Sequence, residues 1–132
     1  FTAATDLLIA QYDAYKPFAD ASVNGRLTLG ENIADVAGLS AAYDAWKLSL
    51  KGAEAPVLDG FTGDQRFFLG WAQNYRSRYR DAALRRRLLT DVHAPGPYRA
   101  DAARNLDAWY AAFDVQPGEA LYLAPAKRVP VW

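Results

Sequence analysis

The stretch TLGENIAD, residues 28–35, opens a long helical pattern and sets two carboxylates, Glu31 and Asp35, four positions apart on one face. Like charges at that spacing repel by roughly 0.2–0.5 kcal/mol in an isolated helix. Two readings account for them. In the first, Thr28-x-x-Glu31 is a capping box, in which the Thr28 hydroxyl accepts from the backbone N–H of Glu31 and the Glu31 carboxylate reaches back to the cap. Acids in the first turns also favour the positive end of the helix, by about 0.3–1 kcal/mol. In the second, a cation lies opposite the pair. Positions 31, 35, 38 and 42 share a face and carry Glu, Asp, Gly and Ala, so another backbone has room to approach. Gly38 costs the helix interior about 1 kcal/mol relative to Ala, a cost that close packing would explain. Such a face suits a divalent-metal ligand at position 31, with Asp35 one turn on orienting a ligating imidazole.

Working outward, this helix is predicted over residues 28–50. A first helix over residues 3–15 is stopped by Pro17, because proline disfavours helical geometry in the residue before it. Between them PFADASVNGRLTL, residues 17–29, contains Asn24-Gly25, a turn signal that predicts a short hairpin within residues 18–28. After the linker KGAEAPVLDGF, a second capping box, Thr62 to Gln65, starts a helix with Phe68, Trp71, Ala72, Tyr75 and Tyr79 at three- and four-residue steps. That stripe reads as a core face. DAALRRRLLTD makes another short helix, HAPGPYR a loop stiffened by two prolines and a glycine, and a last helix starts near residue 101 and covers NLDAWYAAF. An extended tail ends VPVW. The expected fold class is therefore mainly α, with at most a short hairpin near residues 18–28, and there is no internal repeat or low-complexity tract.

At 132 residues the chain can bury a core without a metal or disulfide to staple it. Fifteen Lys and Arg balance fifteen Asp and Glu, which argues against general attraction to nucleic acid or an anionic membrane. With no cysteine there is no disulfide framework and no thiolate metal site. No apolar run approaches the roughly 20 residues that span a bilayer, and FTAATDLLIAQYDAY lacks the basic-then-apolar pattern of a signal peptide. Starting on Phe1, the chain reads as a mature product, a trimmed form or a fragment.

Two further constellations stand out. DVHAPGPYR, residues 91–99, holds the one histidine. His93 is either an ordinary loop residue or, with Arg99 across Pro95-Gly96-Pro97, a fixed donor to a developing oxyanion while Arg99 holds a substrate carbonyl. Asp91 is near enough in sequence to orient either. Arg76, Arg78, Arg80, Arg85, Arg86 and Arg87 form a cluster that sits among acids with no nucleic-acid motif, and so reads as a solvated face or a subdomain contact.

Taken together, NGRLTLGENIADVAGLSAAYDAW, FFLGWAQNYR, DVHAPGPYR, the downstream Asn105 and the terminal VW closely resemble the C-terminal part of the neprilysin family of zinc metallopeptidases, over essentially the whole chain and in order. The resemblance implies the C-terminal helical part of a thermolysin-like (gluzincin) catalytic domain over residues 1–132. It implies one Zn²⁺, with Glu31 as the third ligand and Asp35 hydrogen-bonded to a zinc-binding histidine. His93 would stabilise the tetrahedral intermediate, Arg99 would hold a peptide carbonyl, and Asn74 and Tyr75 would line the pocket for the residue after the scissile bond. The H-E-x-x-H helix, with two ligands and the general base, is absent from this sequence. Peptide hydrolysis then requires an N-terminal portion of the same enzyme, and the segment alone is expected to be inactive. The same resemblance places that helix about 50–70 residues before Glu31. The lack of cysteines looks more like bacterial members, which implies a periplasmic or secreted location, and Ala94 where serine is common removes one hydroxyl but not the His93 donor. The alternative is a non-catalytic helical interaction module in which TLGE is only a cap and HAPGPYR only a rigid loop.

Overall fold

A computed structural model describes residues 2–130; Phe1 and the terminal Val131-Trp132 lie outside the described residues. Six α-helices follow in order: α1 (Thr2–Asp13), α2 (Leu29–Ser49), α3 (Gly63–Gln73), α4 (Asp81–Thr90), α5 (Gly96–Ala100) and α6 (Asp107–Phe113). A 3-10 helix, Asp101–Asn105, links α5 to α6, and a shorter one spans Pro125–Lys127. Among the described residues there is no strand, so the mainly α expectation holds. The hairpin does not form. Residues 18–21 close only an isolated antiparallel bridge between Phe18 and Ala21.

Asn24-Gly25 serves another purpose. The Asn24 side chain accepts from the Leu27 N–H at 2.9 Å, and the Asn24 carbonyl accepts the Thr28 N–H at 3.0 Å. The turn thus leads into α2 rather than between strands. Glycine is needed at 25 because a Cβ there would collide with the backbone carbonyl of Ile9. The Gly25 N–H instead donates to Asp13 Oδ1 at 2.7 Å, at the end of α1.

The first capping box is also absent. Thr28 is the residue before α2, but its hydroxyl makes no cap bond; it donates to Asn24 O at 3.0 Å and accepts from Asn32 Nδ2 at 2.9 Å. Asn32 is fully buried, and a buried amide needs a partner more than an exposed helix end does. The Glu31 carboxylate is therefore left out of the cap. The second capping box, Thr62 with Gln65, forms in both directions.

The core runs from Leu8 and Tyr12 of α1 through Val36 and Leu39 of α2 to Phe68, Ala102, Ala103, Leu106 and Val129. Burying each Leu, Val or Phe contributes about 1.5–3 kcal/mol. Tyr43 stacks on Phe68 and Trp46 on Phe67, each with centroids 5.4 Å apart, which binds the second half of α2 to α3. The predicted α3 stripe breaks down after Trp71. The helix ends at Gln73, Ala72 and Tyr79 are exposed, and Tyr75 lies past the helix end. HAPGPYR is not wholly a loop, since Pro95 caps α5 and Pro97 sits in its first turn, where a missing N–H does no harm. The predicted last helix is split at Leu106, whose extended backbone separates the 3-10 turn from α6.

Buried Asn105 ties these pieces together. Its Nδ2 donates to Gln11 Oε1 at 3.1 Å and its Oδ1 accepts the Val129 N–H at 2.9 Å. Asn105→Leu in the complete protein leaves both partners without that bond and is expected to cost about 1–3 kcal/mol for each group left unsatisfied. A lowered thermal midpoint would show it, and an unchanged midpoint would contradict it.

Candidate active site

Three chain segments meet at the N-terminal end of α2. The first is α2 itself, which projects Glu31 and, one turn on, Asp35. Asp35 is buried, and Arg99 forks onto it, Nε to Oδ2 and Nη2 to Oδ1, both at 2.8 Å. Paired, planar donors of this kind are the strong form of the interaction. The carboxylate holds the Arg99 pKa above the ordinary arginine value, and the guanidinium also lies over the Tyr75 ring at 4.9 Å. A carboxylate accepts at about four lone-pair sites, so two remain on Asp35.

The second segment is the turn after α4. His93 Nε2 lies 3.2 Å from Glu31 Oε2, and His93 Nδ1 lies 3.1 Å from Asp91 Oδ1. An ionised carboxylate has no proton to give, so each contact is a hydrogen bond only when the ring nitrogen donates. Asp91 Oδ1 also accepts the backbone N–H of His93 at 2.9 Å, and Asp91 Oδ2 meets Arg87 Nη2 at 2.6 Å. The backbone bond from His93, helped by the Arg87 charge, lowers the Asp91 pKa. Glu31 and His93 remain open, with side chains 40% and 39% exposed.

The third segment, residues 74–80, leaves α3 through a turn at Asn74 and Tyr75. Asn74, Tyr75, Ser77 and Tyr79 line a cleft of about 300 Å³ with His93 and Arg99. Gly96 brings α5 against this wall, since a Cβ there would sit 2.6 Å from Tyr75 O and 2.7 Å from Ser77 Oγ. Burial, then the charge of Asp35, raises the Tyr75 pKa. Asn74 Nδ2 turns back to Gly70 O at 3.2 Å, leaving its side-chain oxygen without a partner in that contact.

The fold therefore brings together Glu31, Asp35, Asn74, Tyr75, Asp91, His93 and Arg99, all singled out from the sequence. Gly38 is the exception: nothing among the described residues lies within 4 Å of a Cβ built there, so the close packing expected of it is not met within this chain. Ser77 was not singled out from the sequence, Arg87 was read only as part of a solvated face or subdomain contact, and Tyr79 was placed in the core. Arg87 had a legible signal, four residues before Asp91 on a helical pattern. Ser77 and Tyr79 needed the end of α3 to be known. Among the described residues no group of three or more His, Asp or Glu converges as a metal site, and no helix is long and apolar enough to cross a membrane.

The profile of peptidase family M13 matches residues 1–129. The chain belongs to that family. It is 38% identical to neprilysin-21 of Caenorhabditis elegans over its full length, which is 18% of that protein, and 38% identical to human endothelin-converting enzyme 1, again over its full length and 17% of the relative. Among solved structures, a Mycobacterium tuberculosis zinc metalloprotease in an open state superposes with a TM-score of 0.95 at 48% identity, covering 99% of this chain and 21% of the other. The family member thus spans about a sixth of the length of the curated relatives it matches.

Removing Arg99 strands a buried carboxylate. Arg99→Ala is expected to destabilise the complete protein at the lower end of the roughly 3–5 kcal/mol typical of broken buried pairs, since Arg99 is itself partly exposed. Arg99→Lys, which cannot fork, should recover only part. Denaturant titration checks both, and full recovery by lysine would refute the bidentate role.

Proposed function

We propose that the complete protein is a zinc-dependent endopeptidase or oligopeptidase, and that this chain is the C-terminal segment of its catalytic domain, of thermolysin-like (gluzincin) type. The observation that carries the reading is the meeting of Glu31, His93 and the Arg99–Asp35 pair beside one cleft. The residues present fit one corner of a zinc site. Glu31 offers an exposed carboxylate oxygen that no helix cap consumes, a donor type zinc accepts. The other ligands come from the H-E-x-x-H helix of the N-terminal portion. The open face of α2 at Gly38, where a neighbouring backbone has room, supports that docking.

Zinc, when bound, polarises the scissile carbonyl and lowers the pKa of water. The proton of the attacking water would pass to the glutamate of the H-E-x-x-H helix, outside this chain. Asp35, already fixed by Arg99, uses a remaining lone pair to hold a ligating imidazole by its ring N–H, which sets its tautomer. His93 donates from Nε2 to the carbonyl oxygen as charge develops there. Arg99 keeps Nη1 free of Asp35 and gives it to a peptide carbonyl of the substrate. Asn74 and Tyr75 hold the side chain after the scissile bond. The segment alone, with one metal donor and no base, is inactive. An extracytoplasmic location, periplasmic or secreted, belongs to the same proposal and rests on the family resemblance alone.

In the complete enzyme Glu31→Ala is expected to lower bound zinc, whereas His93→Ala keeps zinc and lowers kcat by about 10²–10³-fold. Metal analysis beside peptide-cleavage kinetics separates the two, and equal zinc loss in both variants would overturn the assignment. The upstream coding sequence should carry H-E-x-x-H; without it the non-catalytic interaction module becomes the better account.

A further inference from the structure

α4 carries no buried residue. Leu88 packs against the core from a half-buried position, and ion pairs add to that attachment. Arg85, at mid-helix, forks onto Asp20 at 3.1 and 2.9 Å, and Arg87 meets Asp91 at 2.6 Å at the C-terminal end. Arg87 stands apart from the arginines around it. Arg76, Arg78, Arg80 and Arg86 are exposed, whereas the Arg87 guanidinium lies 4.7 Å over the Tyr79 ring, its Nε is buried without a partner among the described residues, and it borders the cleft. A side chain held in this way is not one of the loose surface ion pairs that contribute little.

Asp91 ends α4 as its C-cap residue. A carboxylate there sits against the negative end of the helix dipole, where cations are favoured and anions are not. Yet Asp91 is also the group that grips His93, by the backbone N–H at 2.9 Å and by Nδ1 at 3.1 Å. Arg87, one turn back on the same helix, compensates the dipole and occupies Oδ2, which leaves Oδ1 to the histidine.

We propose that Arg87 is a positioning residue for His93. By clamping Asp91 it keeps the imidazole Nδ1–H turned to Oδ1 and Nε2 turned toward Glu31 and the cleft. This role rests on the reading above, in which His93 Nε2 donates to the peptide carbonyl oxygen; Arg87 itself touches neither substrate nor metal. Because it acts only through Asp91, its removal should cost nothing more once Asp91 can no longer pass the effect on.

The test uses the complete zinc-loaded enzyme and the variants Arg87→Ala, Arg87→Lys, Asp91→Asn and the double variant Arg87→Ala with Asp91→Asn. Arg87→Ala is expected to lower kcat about 10-fold, with KM and zinc content unchanged, as for other residues that orient a catalytic group. Arg87→Lys should recover part of the loss, because a point charge still reaches Oδ2, and the double variant should be no slower than Asp91→Asn alone. A second readout needs no activity. In enzyme labelled with ¹⁵N-histidine, the imidazole signal that vanishes in His93→Gln should shift in Arg87→Ala. Losses that multiply in the double variant, or an unmoved imidazole signal, would overturn the proposal. A zinc-loaded enzyme that cleaves no peptide in any form would instead sink the peptidase reading, and the nitrogen signal would still decide whether Arg87 places the ring.

Discussion

The fork between Arg99 and Asp35 joins residues 64 positions apart in sequence, and the geometry of the site follows from it. Glu31 lies one helical turn before Asp35, at a rise of about 1.5 Å per residue, so fixing Asp35 fixes where Glu31 points. His93 lies six residues before Arg99 along a path that contains Pro95 and Pro97, each of which locks its own φ. One ion pair therefore sets the distance between Glu31 and His93 although they share no helix. The glycine between the prolines does the rest: at Gly96 the chain comes so close to Tyr75 and Ser77 that only a residue without a Cβ fits. The cleft wall is registered to the same turn.

The crowding of acids on α2 is resolved by the same contacts. Asp35 is neutralised by Arg99, and Glu31 faces the His93 ring. Neither acid depends on the helix cap, because the residue that would have formed it, Thr28, is committed to Asn32. The fold spends its cap hydroxyl on a buried amide and leaves the helix end to water, which is the cheaper of the two places to leave a donor unpaired. That choice is what frees the Glu31 carboxylate.

Much of this was legible in the sequence, and what was not has a common cause. Long periodic stretches gave α2 and α3, and the Thr62–Gln65 box formed because Gln65 gives its amide oxygen to the cap while its amide nitrogen donates to Ala112 O, so the two bonds do not compete. Thr28–Glu31 has the same pattern and failed, because a buried partner four residues on outbid the cap, and burial is a tertiary fact. Asn24-Gly25 was read as a hairpin turn, but glycine was required by the approach of the α1 carbonyl at Ile9 rather than by a positive φ. The candidate site residues were named from motif and resemblance, whereas Ser77 was not singled out, Tyr79 was placed in a core stripe and Arg87 in a solvated face or subdomain contact. Ser77 and Tyr79 join the cleft only because α3 stops at Gln73 and the chain turns at Asn74 and Tyr75, an end that so short a stretch does not announce.

The arrangement of charges also explains which acid is available to a metal. Three carboxylates, Glu31, Asp35 and Asp91, lie around His93 and Arg99, yet two of them have a guanidinium closer than any metal would find comfortable: Arg99 on Asp35 and Arg87 on Asp91, at 2.8 and 2.6 Å. Each arginine satisfies its acid and also places a fixed positive charge beside it, so a divalent cation approaching either would be repelled at short range. Glu31 alone meets no arginine. Among the described residues its one charged partner is the imidazole, which can pass from a carboxylate to a substrate oxygen without leaving a guanidinium unpaired. On the peptidase reading, the two ion pairs are therefore selective as well as structural, since they direct the metal to position 31 and leave the remaining acids to hold side chains in place.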